Sequence, residues 1–66
     1  MDNSEIGKRL RDLRGEIPRE TLSKAIGVSV SAIAMYESGQ RIPRDSVKIS
    51  LAKFYGKTVQ SIFFNS

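Results

Sequence analysis

The sequence contains neither cysteine nor histidine among its 66 residues. Without cysteine the chain can form neither a disulfide framework nor a thiolate metal site. Without histidine it also lacks the side chain that most often serves as a general base. The seven acidic residues are scattered, and no glycine-rich phosphate-binding loop occurs. We therefore expect no catalytic site, no metal, no cofactor and no small-molecule substrate, so the protein is predicted not to be an enzyme.

Long hydrophobic segments are absent as well. No apolar run approaches the roughly 18 residues that a membrane-spanning helix needs. The N-terminal stretch MDNSEIGKRLRDL lacks the apolar segment of a secretory signal peptide. We therefore expect a cytoplasmic protein, in a bacterial cell, without a membrane partner. A chain of 66 residues is long enough for one domain, which we expect to span residues 1–66.

Positive charge is present in excess. Lysine and arginine total 11 against seven acidic residues, which gives a net charge of +4 and a pI near 9.9. This balance suits a polyanionic partner such as nucleic acid, although many small soluble domains are also basic. Charge alone therefore leaves nucleic-acid binding as one hypothesis among several.

Helix start and stop signals divide the chain into five short helices, and no strand-like alternation occurs. In the first helix, Ile6, Leu10 and Leu13 form one apolar stripe. Ser4 (or Asn3) can cap its start, and the glycine at position 15 can end it.

The second helix begins near Pro18, because proline is tolerated in a first helical turn where its missing N–H would be unpaired. Leu22, Ala25 and Ile26 are expected on its inner face, and Gly27 ends it.

The third helix is capped by Ser29, runs to Ser38 and stops at Gly39. At about 100° per residue, one arc of roughly 140° collects its small and apolar residues. These are Val30, Ser31, Ala34, Met35 and Ser38. Ile33 and Tyr36, with Ala32 beside them, lie opposite. Two interpretations remain open, because the arc can be buried core or a surface that contacts something outside the domain.

The fourth helix runs from about Arg44 or Asp45 to Tyr55 and stops at Gly56. It carries two competing apolar stripes. One consists of Val47, Leu51 and Phe54, and the other consists of Ala52 and Tyr55 with Lys48. We expect Leu51, Ala52 and Tyr55 to face inward. Thr58 can cap a last short helix that carries Val59, Ile62 and Phe63.

Two short helices joined by AIGVS are typical of a helix-turn-helix. Gly27 allows the turn, Val28 can fill its inside, and Ser29 caps the following helix. From Ile6 to Phe63 the chain resembles the Cro/CI-type helix-turn-helix family of bacterial and phage repressors. The segments that carry the resemblance are IGKRLRDLR, TLSKAIGVSVSAIAMYESG, RIP, LAKFYG and TVQSIF.

The resemblance implies an all-α fold, a compact bundle of five short helices of the lambda repressor-like DNA-binding type, with the helix-turn-helix at about 18–38. It also implies a sequence-specific regulator of transcription, a repressor, that binds double-stranded DNA as a homodimer with its third helix in the major groove. The expected base contacts are Val30, Ser31, Ala34 and Met35. The expected phosphate contacts are Arg19, Ser29, Gln40, Arg41 and Arg44.

The sequence departs from the family at the start of the second helix. The family has a longer link between its first two helices, and serine followed by glutamine where this chain has Pro18 and Arg19. That glutamine typically contacts a phosphate, and Arg19 is expected to do the same. The family also pairs Glu37 with a basic residue late in the first helix, here Arg14. The alternative for Glu37 is a solvated acid on the helix surface.

Two adjacent phenylalanines near the end of the chain cannot both be buried in one short helix. The fifth helix with the terminal SIFFNS segment is therefore the expected dimer surface, formed by Val59, Phe63 and Phe64.

Two other functions compete with DNA binding. The apolar arc of the third helix could bind a groove on another protein, as in an antitoxin or antirepressor. An RNA-binding domain is the weaker alternative, because exposed aromatic residues for base stacking are not evident.

Overall fold

Five helices follow one another through residues 3–64, the part of the chain that the computed structural model describes. Helix α1 spans Asn3–Arg14, α2 Arg19–Ile26, α3 Val30–Ser38 and α4 Asp45–Tyr55, and α5 is a short π-type helix, Gln60–Phe64. No strand occurs within residues 3–64, and the all-α prediction is confirmed. Each helix in this range is too short or too polar to span a lipid bilayer. The last two residues of the SIFFNS segment lie outside it.

Local signals in the sequence set most helix ends. Gly27 and Gly39 follow α2 and α3 with φ angles of 71° and 81°, a left-handed conformation that glycine adopts without steric cost. The Ser29 hydroxyl accepts a hydrogen bond from the Ala32 N–H at 3.0 Å and caps α3. The Thr58 hydroxyl accepts one from the Ser61 N–H, also at 3.0 Å, before α5.

The start of α1 differs from the prediction. Asn3 and Ser4 both lie inside the helix, so neither residue is its N-cap. The hydrogen-bonded turns of α1 simply begin earlier than the cap signal indicated.

All five helices contribute to one hydrophobic core. Leu22, Ile33 and Ile62 are the largest fully buried side chains, from α2, α3 and α5. The remaining buried apolar residues are Ile6, Leu10, Tyr36, Val47, Leu51, Ala52 and Phe63. Helix α3 makes its most extensive contact with α1 and also packs on α2, and α5 packs against α1. Helix α3 is therefore positioned by two neighbouring helices.

One inward-facing prediction, for α2, is wrong, and the one for α4 is incomplete. Ala25 is exposed, because α2 covers the core through Leu22 and the half-buried Ile26 only. In α4, Leu51 and Ala52 are buried and the half-buried Tyr55 packs against the core, as expected, and Val47 is buried in addition.

Helices α1 and α3 touch through their backbones at Gly7. A Cβ atom placed on Gly7 would lie 2.4 Å from the Glu37 carbonyl oxygen, much closer than real carbon and oxygen atoms approach. Glycine costs stability within a helix, and an isolated glycine in a helical pattern therefore indicates a packing reason. Here the reason is the approach of α1 to the last turn of α3.

Candidate nucleic-acid interface

The turn between α2 and α3 is fixed by its own hydrogen bonds. The Ser23 hydroxyl donates to the Val28 carbonyl oxygen, and the Ser29 hydroxyl accepts from the Ala32 N–H. Val28 itself is half-buried and packs against the core. Helix α3 therefore begins at a defined position and angle relative to α2.

The arc of α3 that collects small and apolar residues faces outward. Val30 and Met35 are each 40% exposed, and Ser31 is exposed while Ala34 is half-buried. Ile33 and Tyr36, on the opposite side, are buried. The interpretation of this arc as buried core is therefore wrong, and the four expected base contacts form one uncharged surface on α3.

Four of the five expected phosphate contacts lie before or after α3, and the fifth, Arg19, is the first residue of α2. Ser29 precedes its first turn, whereas Gln40 and Arg41 follow its last, and Arg44 is the N-cap residue of α4. All four are exposed. The first N–H groups of a helix lack intrahelical partners and carry the positive end of its dipole, so they also favour an anion beside Ser29.

Glu37 is the centre of a network of charged side chains. The Arg14 Nε lies 2.6 Å from its Oε2 atom and the Arg14 Nη2 lies 3.1 Å from Oε1. The Arg19 Nε and Nη2 lie 3.2 and 3.0 Å from Oε1. The structure thus brings Arg14 and Glu37 together and adds Arg19, whose contact with Glu37 the sequence analysis missed. The cluster has one positive charge in excess.

Burial and hydrogen bonding shift the pKa values of two groups in and beside this cluster. The hydrogen bond that Arg14 donates to Glu37 raises the pKa of Arg14 above its ordinary value. The Arg14 Nη1 also donates to the Ile17 carbonyl at 2.8 Å and so ties the loop before α2 to the cluster. Burial, with the nearby Glu37 charge, raises the pKa of Tyr55 to about 12. The Tyr55 hydroxyl, which is neutral at physiological pH even at its ordinary pKa, therefore stays neutral into more alkaline solution.

The predicted dimer surface is only partly exposed. Phe63 is 3% exposed and belongs to the core of its own chain, so its assignment to the surface is wrong. Phe64 is 60% exposed, and Val59 is half-buried against the core. The Lys48 ammonium lies 5.0 Å from the centre of the Phe64 ring. The same ammonium lies 5.6 Å from the centre of the Phe63 ring, so the two neighbouring rings adjoin the same charge.

A further structural contact has no counterpart in the sequence analysis. The Arg9 Nη1 donates to the Ser61 and Ile62 carbonyl oxygens at 2.8 and 3.2 Å and so anchors α5 to α1. The partners are backbone atoms more than fifty residues away, and no residue pattern indicates such a contact.

A capped turn, an outward uncharged face on the following helix and exposed cations at the end of that helix define a helix-turn-helix DNA-binding domain. The helix-turn-helix family model matches residues 8–62. The chain belongs to the Cro/CI-type helix-turn-helix family, whose members are sequence-specific DNA-binding regulators of transcription.

Two solved structures share this fold. The restriction-modification controller protein C.AhdI from Aeromonas hydrophila aligns with a TM-score of 0.81 and 29% identity, over 91% of this chain and 94% of that chain. The DNA-binding domain of the P22 C2 repressor aligns with a TM-score of 0.83 and 26% identity, over 94% of this chain and 84% of that chain. No curated protein sequence matches significantly.

Proposed function

We propose that the protein is a transcriptional repressor that binds duplex DNA as a homodimer and reads bases in the major groove with α3. The observation that carries the proposal is the uncharged outward face of α3 on a chain with a net charge of +4. Base edges are recognised by hydrogen bonds and apolar contact, whereas phosphates attract cations. Family membership and the similarity to a named repressor and a named controller protein support regulation of transcription.

DNA binding can be tested without knowing the operator. Selection from a pool of random duplexes should enrich one sequence, and its affinity should fall steeply with salt because bound phosphates release counterions. An apolar contact with a protein groove, the competing function, would hardly respond to salt. A pool from which no sequence is enriched would contradict the proposal. The single domain over residues 1–66 and the cytoplasmic location stay predictions.

The arginine after α3 supplies the first quantitative prediction. Arg41→Ala should weaken binding to the selected sequence and to random duplex alike, and should lower the slope of log affinity against log salt by about one. The reason is that a phosphate contact positions the protein without reading bases. Lys57→Ala removes the same charge from an exposed position after α4 and serves as the control. A changed sequence preference in Arg41→Ala would show that Arg41 reads a base.

The apolar residues of α3 predict A·T pairs in the operator. Val30 and Ala34 carry no hydrogen-bonding side-chain group, and Met35 has only a weak thioether acceptor. Thymine projects a C5-methyl group into the major groove, which such side chains recognise by contact. The flexible Met35 side chain can adapt to the groove floor. Ser31 can donate or accept and discriminates little by itself.

Removing single thymine methyl groups tests this reading. Uracil in place of thymine at each half-site position should cost about 1 kcal/mol at one or two positions, by analogy with burial of a methylene group. Fluorescence anisotropy titrations measure the loss. In Met35→Ala or Val30→Ala the penalty should disappear at the position that the missing side chain contacted. Equal affinity for all uracil duplexes would contradict apolar readout.

A dimer follows from the small reach of a single recognition helix. One short helix contacts few base pairs, and two-fold proteins gain specificity from half-sites about 34 Å apart. Within this chain, Phe64 is the most exposed of the large apolar side chains that the structure describes, and Val59 lies five residues before it. Phe64 with Val59 therefore forms the proposed dimer surface.

Phe64→Ser should weaken self-association and operator affinity together while the helical content persists. Analytical ultracentrifugation, circular dichroism and DNA titration measure the three quantities. Ile49→Ser is the matched control, because Ile49 is also a large exposed apolar residue, at 49% exposure. A wild-type protein that stays monomeric on its operator would contradict the dimer.

A further inference from the structure

The geometry points to a positioning role for Glu37, in which its carboxylate holds the Arg19 guanidinium ready to bind a DNA phosphate. This inference rests on the proposed DNA-binding function and concerns how one phosphate is held. In this arrangement Arg19 has two partners at the same time. Glu37 contacts one edge of the planar guanidinium, and the phosphate contacts another edge.

Only one edge of the Arg19 guanidinium is occupied by Glu37. Its Nε and Nη2 atoms both contact the Oε1 atom, at 3.2 and 3.0 Å. A guanidinium carries five N–H donors in a rigid plane, so the Nη1 hydrogens and the second Nη2 hydrogen point away from this carboxylate. The Arg19 side chain is 39% exposed, against 3% for Glu37. The outer edge can therefore donate to two phosphate oxygens in the bidentate geometry that arginine favours.

Glu37 does not cancel the positive charge of the Arg19 guanidinium, because Arg14 already compensates the Glu37 carboxylate. Arg14 contacts both carboxylate oxygens, at 2.6 and 3.1 Å, and its side chain is only 15% exposed. Arg14 thus serves as the buried counter-ion. The positive charge in excess is carried by the more exposed Arg19, at the start of α2.

The backbone before Arg19 is restrained as well. Pro18 is the N-cap residue of α2, with a φ of −61° that its ring fixes. Pro18 and Arg19 are two of the departures from the family: Pro18 restrains the backbone before α2, and the contact with Glu37 holds the end of the Arg19 side chain. A side chain ordered before binding loses less freedom in the complex. A lysine at position 19 has one charged nitrogen and could not use two separate edges.

Two matched substitutions test the inference on a short duplex of random sequence. Arg19→Lys should weaken binding about tenfold, nearly as much as Arg19→Ala, because the lysine cannot hold Glu37 and a phosphate in the same planar geometry. Arg41→Lys, at a position with no such partner in the described hydrogen bonds, should retain binding within about threefold. Arg19→Lys that binds like wild type would overturn the inference.

A second measurement excludes a merely structural effect. The ¹⁵N signal of the Arg19 Nε–H should show slow solvent exchange both in the free protein and on DNA, since Glu37 keeps this contact in both states. Fast exchange on DNA would overturn the inference by showing that Arg19 leaves Glu37.

Arg19→Lys should also unfold at close to the wild-type temperature, because Arg14 remains on Glu37. If the wild-type protein binds no duplex even at low salt, the proposed function fails instead.

Discussion

Replacing Glu37 by glutamine should lower the free energy of unfolding by about 3 kcal/mol, as expected for a broken buried ion pair. The Glu37 side chain is 3% exposed, and its loss of charge leaves the Arg14 guanidinium, 15% exposed, without a counter-ion. Arg19 adds little to this cost, because its side chain is 39% exposed and water can screen its charge. Urea denaturation followed by circular dichroism measures the difference.

Three further variants separate the ion pair from a general effect of removing an acid. Glu20→Gln removes an exposed acid from the first turn of α2 and should change stability by no more than about 0.5 kcal/mol. Arg14→Met should cost less than Glu37→Gln, because the carboxylate then keeps Arg19. The double variant Arg14→Met with Glu37→Gln should be more stable than the sum of the single losses indicates. A purely additive double variant would mean that Arg14 and Glu37 do not interact.

Gly7→Ala should lower the free energy of unfolding by about 2–3 kcal/mol, although alanine is the better helix former. Its Cβ atom would lie 2.4 Å from the Glu37 carbonyl oxygen and 2.8 Å from that of Tyr36. Both are backbone atoms, so α1 and α3 must move apart. This movement would also shift Glu37 and should therefore reduce DNA affinity. Thermal unfolding measures the loss of stability, and DNA titration measures the loss of affinity.

Gly56→Ala is the matched control for Gly7. Nothing lies within 4 Å of a Cβ atom placed there, and only the positive φ of 66° opposes alanine. It should cost about 1–2 kcal/mol, the penalty of a left-handed conformation. If Gly7→Ala is as stable as wild type, the approach of the two helices is not tight in solution.

The sequence by itself determined most helix ends and the helix-turn-helix. Gly27 and Gly39 follow α2 and α3, and Ser29 caps α3, because glycine torsions and caps act within a few residues. The resemblance to the family was carried largely by the same segment, because the turn, the cap and the helix lengths typical of the family occur together there. Such features need no knowledge of what packs on them.

The tertiary structure decided which side of each helix is buried. Helix α3 has apolar residues on both sides, with Ile33 facing the core and Met35 facing outward. Its own sequence pattern is compatible with either orientation, and the contacts with α1 and α2 select one. The same holds in α5, where Phe63 is buried and Phe64 exposed. Burial depends on the summed contacts of several helices, which no local pattern contains.

The arrangement of charges around Glu37 was also decided by the tertiary structure. Arg14 and Arg19 are 23 and 18 residues away from Glu37 in sequence. The resemblance indicated the first of these partners, but Arg19 was expected to contact only a phosphate. The packing of α1 and α2 against α3, with the close approach at Gly7, brings both guanidiniums to one carboxylate. Ion pairing depends on such distances in space, and residue types at separate positions do not specify them.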